Sequence, residues 1–213
     1  MDIYASDDEK GEEIKQWWRD NGTSVIVGCI LSVAIVLGGR YWIMYQQTNA
    51  EKASSIYQQV TSLLAEDKYT EAETKTQQLL VDYAKTPYAV FAAFEVAKQS
   101  ANNHDLTSAQ PYLEWVIAHA KLSGQVDIAR LRLAQLLVHE AQYQPALTLL
   151  EQSHSTAFES LFAELRGDIY AAQGQQSQAR SAYESALLTL KQGEPRQQLL
   201  KLKLDDVTET QDS

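Results

Sequence analysis

An uncharged apolar run near the N-terminus constrains this chain more than any other feature of its sequence. From Asn21 to Gly39 no residue carries a charge. At about 1.5 Å of rise per residue, a helix of this length spans roughly 28 Å, close to the hydrocarbon core of a bilayer of about 30 Å. The sequence therefore predicts one transmembrane helix over residues 23–45.

Aromatic residues border the run on both sides. Trp17 and Trp18 precede it, and Arg40, Tyr41 and Trp42 follow it. Amphipathic rings concentrate where a membrane meets water, and an arginine can extend its charge outward from a helix end. These five side chains are predicted to form the interfacial belt of the anchor.

Three other interpretations of the run exist. A buried core helix has similar length but rarely carries aromatic belts. A cleaved signal peptide would use residues 25–37 as its apolar region, but the preceding segment is long and acidic rather than short and basic. Residues 26–29 resemble a lipoprotein-processing box ending at Cys29, although the apolar run before this cysteine is short and continues beyond it. An uncleaved anchor fits best.

Charge and cysteine usage restrict what the remaining chain can do. Residues 46–213 hold 14 basic and 21 acidic residues, within a net charge of -10 for the 213-residue chain. An acidic domain repels the phosphates of nucleic acids, so no nucleic-acid partner is expected. The single cysteine, Cys29, excludes a disulfide framework. Stability has to come from packing.

The soluble part shows a helical repeat. Its apolar residues recur at three and four positions, which indicates helices. Between residues 165 and 188, small and aromatic residues are spaced by 3, 4, 5, 4 and 3 positions, the intervals of the tetratricopeptide repeat. They are Gly167, Tyr170, Gly174, Ala179, Tyr183 and Ala186. Small residues let two antiparallel helices approach closely, and Gly174 is predicted to end the first of them.

The same frame fits three earlier units. The second-helix alanines Ala72, Ala109, Ala146 and Ala179 are 37, 37 and 33 residues apart. Four units in register favour a repeat over an ordinary helical bundle. After Pro195, a leucine-rich segment is predicted to be the capping helix. The expected fold is all-α: a single N-terminal transmembrane helix followed by a tetratricopeptide-like solenoid with a C-terminal capping helix.

Candidate chemistry is sparse, and no catalysis is expected. None of His104, His119, His139 and His154 belongs to an HExxH motif, and no nucleophile elbow or phosphate-binding loop occurs. Structural or surface roles are expected for all four histidines. The sequence predicts no catalytic, cofactor or metal site.

A curved repeat stack instead offers a concave surface lined by the first helix of each pair. Mixed apolar and polar lining suits a bound peptide. The frame predicts a groove lined by Phe91, Phe94, Lys98, Leu131, Gln135, Val138, Glu164 and Asp168.

Several segments resemble a known family. They are EEIKQWWRDNG (residues 12–22), GRYW (39–42), YAVFAAFEVAKQ (88–99), LRLAQLL (131–137) and FAELRGDIYAAQG (162–174). Together they are similar to the YfgM-like family of ancillary SecYEG translocon subunits. This resemblance implies a non-enzymatic, single-pass inner-membrane protein. It also implies as partners the SecYEG translocon, a membrane-anchored periplasmic chaperone of the peptidyl-prolyl isomerase type and newly translocated client chains.

The resemblance and the charges near the anchor imply the same topology. Lys10, Lys15 and Arg19 precede the span, against Arg40 and Lys52 after it, which favours a cytoplasmic N-terminus. The expected organisation is a cytoplasmic tail with a short amphipathic segment (1–22), the anchor (23–45), a periplasmic repeat domain (46–208) and a flexible tail (209–213). Asn21 and Gly22 are predicted to break the helix before the anchor, and residues 46–65, which contain no glycine or proline, are predicted to continue the helix beyond it. An alternative is a regulatory or assembly-scaffold membrane protein whose cytoplasmic tail binds a signalling partner.

Overall fold

The computed structural model describes residues 7–152, 156–191 and 193–209, and within these residues it contains nine α-helices and no strand. The predicted all-α class is confirmed. The helices are α1 (Asp7–Ala65), α2 (Tyr69–Asp82), α3 (Pro87–Asn102), α4 (Leu106–His119), α5 (Ser123–His139), α6 (Tyr143–Glu151), α7 (Glu159–Ala172), α8 (Gln176–Thr189) and α9 (Arg196–Glu209). The chain divides into two compact units, residues 1–51 and 52–213.

Helix α1 is longer than the anchor alone requires. The sequence predicted a break at Asn21 and Gly22, but the helix continues through both residues. The Asn21 side chain donates to the carbonyl of Trp17 at 3.1 Å instead of competing with the backbone. Gly22 lies against the Trp18 ring, which leaves little room for a Cβ. The predicted continuation of the helix beyond the anchor is correct, because α1 reaches Ala65.

The N-terminal unit carries the apolar segment. α1 is the one helix of the described residues that is long and apolar enough to cross a membrane, with a mean hydropathy of 2.1 over its most apolar window. Its large side chains are exposed, including the belt residues Trp17, Trp18, Tyr41 and Trp42. Arg40 and Cys29 are exposed as well. Exposure of so much apolar surface is typical of a helix that lies in lipid.

The C-terminal unit follows the predicted repeat frame. The end of α1 and helix α2 form the first pair, with Val60, Ala72 and Leu79 buried in one cluster, and α3–α4, α5–α6 and α7–α8 form the next three pairs. The four second-helix alanines are Ala72, Ala109, Ala146 and Ala179, and each has no exposed surface. An alanine at this position lets the two helices of a pair approach closely, as the spacing predicted.

All four pairs turn in the same way between their helices. A residue with positive φ follows the first helix of each pair: Asp67 (57°), His104 (61°), Ala141 (58°) and Gly174 (72°). The next residue donates its N–H to a carbonyl five positions back. Lys68 reaches Leu63 at 2.9 Å, Asp105 reaches Ser100 at 2.9 Å, Gln142 reaches Leu137 at 2.8 Å and Gln175 reaches Tyr170 at 2.8 Å. In each turn the positive-φ residue also donates its N–H to the carbonyl three positions back. The two bonds together form the Schellman motif, which satisfies the last carbonyls of the first helix.

Two residues that are 16 positions apart fill the space between the two helices of each pair. They are Val60 and Thr76, Ala97 and Leu113, Ala134 and Leu150, and Gly167 and Tyr183, all of them buried. In the fourth pair the Tyr183 ring lies where a Cβ on Gly167 would have to go. In the last three pairs a small residue on one helix accompanies a large one on the other, which keeps the interior densely packed.

Helix α9 caps the fourth pair, as predicted. Its Leu200 and Val207 are buried in a cluster with Ala163, Ala179, Tyr183 and Ala186. Burial of two such side chains stabilises the contact by roughly 3–5 kcal/mol before entropy is counted. The predicted tail at 209–213 lies, apart from Glu209, outside the described residues, as do residues 1–6 of the predicted cytoplasmic tail.

Candidate functional site

A partly exposed aromatic cluster lies where α1 meets α3. The Tyr57 ring centroid is 6.0 Å from that of Tyr88 and 6.1 Å from that of Phe91, and Tyr88 and Phe91 are 6.4 Å apart. Phe91 is 41 % exposed. Partial burial, and then the charge of Glu95, raises the pKa of Tyr57, so this hydroxyl stays neutral at physiological pH. We call Tyr57, Tyr88 and Phe91 the aromatic cluster.

Two cations, Lys98 of α3 and Arg132 of α5, lie further along the chain. The Arg132 guanidinium of α5 lies 4.9 Å above the centre of the Phe94 ring. This distance is within the range of a cation–π contact, which holds the arginine in place while its hydrogen-bond donors stay available. The Lys98 ammonium is 4.0 Å from the Glu95 carboxylate, and both side chains are exposed. A contact at that distance stabilises little.

A cleft of about 320 Å³ opens between these cations. We call it the α3–α5 cleft. It is lined by Ala97, Lys98, Ala101, Asn102, Leu113, Arg132, Gln135 and Leu136. Aliphatic side chains form its floor and polar ones its rim, a combination that suits one apolar side chain and its neighbours. The structure thus brings the predicted residues Lys98 and Gln135 to one cleft.

Leu131 and Val138 flank Gln135 on α5. Both are partly buried and pack against the main hydrophobic core. Phe94 is likewise partly buried against this core, beneath Arg132. Their remaining exposed surface continues the apolar lining away from the cleft. Whether these residues contact a partner remains a prediction.

The two predicted acidic residues of the fourth pair lie in a different environment. The Glu164 carboxylate pairs with Arg196 and Lys203 of α9, both at 2.9 Å. Asp168 pairs with Lys203 at 2.7 Å and accepts a hydrogen bond from the Tyr183 hydroxyl at 2.8 Å. We call these five residues the α7–α9 ion-pair cluster.

The pKa values of this cluster follow from its contacts. Partial burial alone would lower the pKa of Lys203, but hydrogen bonds and charge from Asp168 and Glu164 raise it above its ordinary value. Burial, and then the hydrogen bond to Asp168, strongly raises the pKa of Tyr183. The cluster thus stays intact at neutral pH. It attaches α9 to α7.

The predicted groove did not include Tyr57 and Tyr88 of the aromatic cluster, or Arg132 and the small and aliphatic residues that line the α3–α5 cleft. The frame contained a signal for Tyr57, because Tyr57, Phe94, Leu131 and Glu164 occupy the same position of successive units. Arg132 could not be found in this way, since its place depends on the ring of Phe94 and not on the repeat.

The three histidines of the described residues lie apart from one another. His104 occupies the turn between α3 and α4, and His139 is in the last turn of α5. His119 stacks on Trp115 with 4.5 Å between ring centroids. His154 lies outside the described residues. Among the residues that are described, no group of three or more potential metal ligands comes together.

Comparisons with known proteins agree with the fold. The family model of the tetratricopeptide repeat-like domain matches residues 15–209. A protein of Haemophilus influenzae named ancillary SecYEG translocon subunit is 29 % identical over 97 % of this chain and 100 % of its own length. The protein of the same name from Escherichia coli is 28 % identical over 88 % of this chain and 90 % of its own.

A more distant relative carries the same name. The Neisseria gonorrhoeae protein is 26 % identical over 97 % of this chain and 100 % of its own length. The resemblance to YfgM-like proteins seen in the sequence is therefore confirmed across nearly the whole chain.

Proposed function

Because this chain belongs to the tetratricopeptide repeat-like domain family, we propose that it is a membrane-anchored protein-binding subunit that associates with the SecYEG translocon. The observation that carries the proposal is the aromatic cluster beside the α3–α5 cleft. Phe91 keeps 41 % of its surface exposed although it lies on a helix whose other face is buried. Exposed aromatic side chains next to a concave pocket are typical of protein-binding surfaces.

The relatives support the choice of partner. Their name associates them with SecYEG, and each aligns over most of its length with this chain. The proposed topology has residues 1–22 in the cytoplasm, one inner-membrane span over 23–45 with the belt of Trp17, Trp18, Arg40, Tyr41 and Trp42, and the repeats in the periplasm. The distribution of basic residues around α1 supports this orientation.

The proposed task is to pass newly translocated chains to periplasmic chaperones, including a membrane-anchored one of the peptidyl-prolyl isomerase type. Anchoring beside the exit of the translocon raises the local concentration of emerging chains, so a groove of modest affinity is sufficient. Binding and release need no covalent step, and we propose no enzymatic activity.

Site-specific photocrosslinking in cells tests this function. A photoreactive residue replaces Phe91 in the full chain, and a matched one replaces Leu188, which is 86 % exposed on α8. We expect Phe91 to capture SecYEG subunits, chaperones or emerging chains well above the Leu188 background. The proposed function is wrong if mass spectrometry finds none of these partners from Phe91 and none copurifies with the full chain in mild detergent.

A further inference from the structure

One arginine of the C-terminal unit lacks the carboxylate partner that the other arginines of this unit have. Residues 52–209 contain five arginines. Four contact a carboxylate: Arg130 with Asp127 at 3.5 Å, Arg166 with Glu159 at 2.8 Å, Arg180 with Glu184 at 3.0 Å and Arg196 with Glu164 at 2.9 Å. Arg132 has no carboxylate within 4.0 Å among the described residues.

Arg132 is nevertheless held in place. The Cζ atom of its guanidinium lies 4.9 Å from the centroid of the Phe94 ring, and Arg132 lines the α3–α5 cleft. Lys98 lines the same cleft, and its contact with the Glu95 carboxylate, at 4.0 Å, is at the outer limit of an ion pair. The cleft therefore combines an apolar floor with two cations whose charge is hardly compensated. This is unusual in a domain with an excess of acidic residues.

We propose that the α3–α5 cleft recognises a partner segment in which an apolar side chain is flanked by an aspartate or glutamate. The apolar side chain enters the cleft above Ala97, Ala101 and Leu113, and the flanking carboxylate pairs with Arg132 and Lys98. A planar guanidinium binds a carboxylate through two parallel hydrogen bonds, and one that is already positioned loses less freedom on binding. This inference rests on the proposed protein-binding function and specifies what the groove selects.

The carboxylate is assigned to a side chain inside the segment and not to a chain terminus. Partly buried apolar side chains lie on the helices around the two cations: the aromatic cluster on α1 and α3, and Leu131 with Val138 on α5. A bound segment that contacts both groups has to pass Arg132, because this α5 side chain lies over Phe94 of α3. A C-terminal carboxylate at Arg132 would leave one of these surfaces uncovered.

A peptide-selection experiment tests the inference. The full-length protein in lipid nanodiscs is presented with a library of short peptides, randomised on both sides of a central leucine and blocked at both ends. We expect acidic residues next to the leucine to be enriched several-fold over basic ones. In the Arg132→Glu/Lys98→Glu variant the ratio of acidic to basic residues next to the leucine should fall by about tenfold, so that basic residues are preferred. This is the size expected when two moderate charge contacts become repulsive.

The control variant changes charge by the same amount elsewhere. Lys85→Glu/Lys201→Glu alters two exposed lysines outside the cleft and should leave the enrichment unchanged. Circular dichroism checks that all variants fold. The inference is overturned if the wild type binds no peptide, if it selects without regard to charge, or if the reversal variant keeps the acidic preference.

Two further outcomes separate the alternatives. A parallel library with free C-termini overturns the assignment to an internal side chain if only terminal carboxylates are enriched. Copurification of SecYEG with the same wild-type preparation separates the two proposals. If the translocon copurifies and the peptides show no preference, only the inference about selectivity fails.

Discussion

The third and fourth helix pairs, α5–α6 and α7–α8, solve the same packing problem with different residues. In the third pair Ala134 and Leu150 occupy the buried positions 16 residues apart, and in the fourth Gly167 and Tyr183 do so. Volume lost on one helix is added on the other. Packing within a helix pair thus constrains the combined volume of the two side chains more than the identity of either one. This explains how a repeat diverges without opening cavities.

The two pairs also differ on the predicted groove. Leu131 and Gln135 of α5 occupy the same positions as Glu164 and Asp168 of α7. Gln135 lines the open cleft, whereas both acidic residues are paired with α9. The repeat frame gives the direction in which a side chain projects. What lies opposite depends on the neighbouring unit, and at the end of the stack that neighbour is the capping helix.

The largest effect is expected when the alanine of the third pair is combined with the tyrosine of the fourth. Gly167→Ala should lower the free energy of unfolding by about 2–3 kcal/mol, because the added methyl group overlaps the buried Tyr183 ring. Urea unfolding of the full chain in detergent, followed by circular dichroism, measures the change. The double variant Gly167→Ala/Tyr183→Leu recreates the residues of the third pair and should recover part of the loss. Equal stability of Gly167→Ala and wild type would contradict this account of packing.

A smaller loss is expected when the ion-pair cluster is broken. Lys203→Met removes a cation shared by Glu164 and Asp168 and should cost about 1–2 kcal/mol, since it leaves two partly buried carboxylates short of a partner. Lys201→Met, on the exposed face of α9, is the matched control and should have little effect. If the two variants unfold at the same urea concentration, the cluster does not attach α9.

Alkaline pH should weaken the contact between the fourth pair and α9. The pKa values of Lys203 and Tyr183 are both raised in the folded chain. Their contribution to stability is therefore complete below the unfolded pKa values near 10 and is lost as pH rises further, by about 1 kcal/mol at pH 11. Unfolding measured between pH 9 and pH 11 checks this, and Tyr183→Phe should reduce the decline. A stability that rises over this range would show that the sign is wrong.

The smallest effect concerns the turns. Ala141 adopts a left-handed conformation where the fourth pair has Gly174. Ala141→Gly should stabilise the chain by about 0.5 kcal/mol, since relief of the strained φ exceeds the added entropy of the unfolded chain. Gly174→Ala should destabilise it by a similar amount. Thermal unfolding of both variants measures the difference, and shifts of the same sign would contradict the comparison.

Much of the fold followed from the sequence because it depends on local spacing. The four buried alanines, the end of α7 before Gly174 and the capping helix were all correctly predicted. The left-handed turns at Asp67, His104 and Ala141 were not, because backbone hydrogen bonds and not a glycine define them. The break at Asn21 and Gly22 was wrong, since an asparagine side chain that bonds the preceding turn does not interrupt a helix.

The site was harder to predict. Spacing assigned Lys98 and Gln135 to one face, and the structure places both on one cleft. It could not show that Arg132 stacks on Phe94 or that α9 supplies partners for Glu164 and Asp168. Those contacts join residues from different units, and their partners are not encoded in the repeat interval.

The four identical turns have a consequence for divergence. Aspartate, histidine, alanine and glycine serve at the same position within this one chain because main-chain amides and carbonyls form the bonds. Substitutions there change the geometry little, so connections between helices can drift while the helices stay in register. Relatives that share little more than a quarter of their residues with this chain can then still be built on one backbone plan.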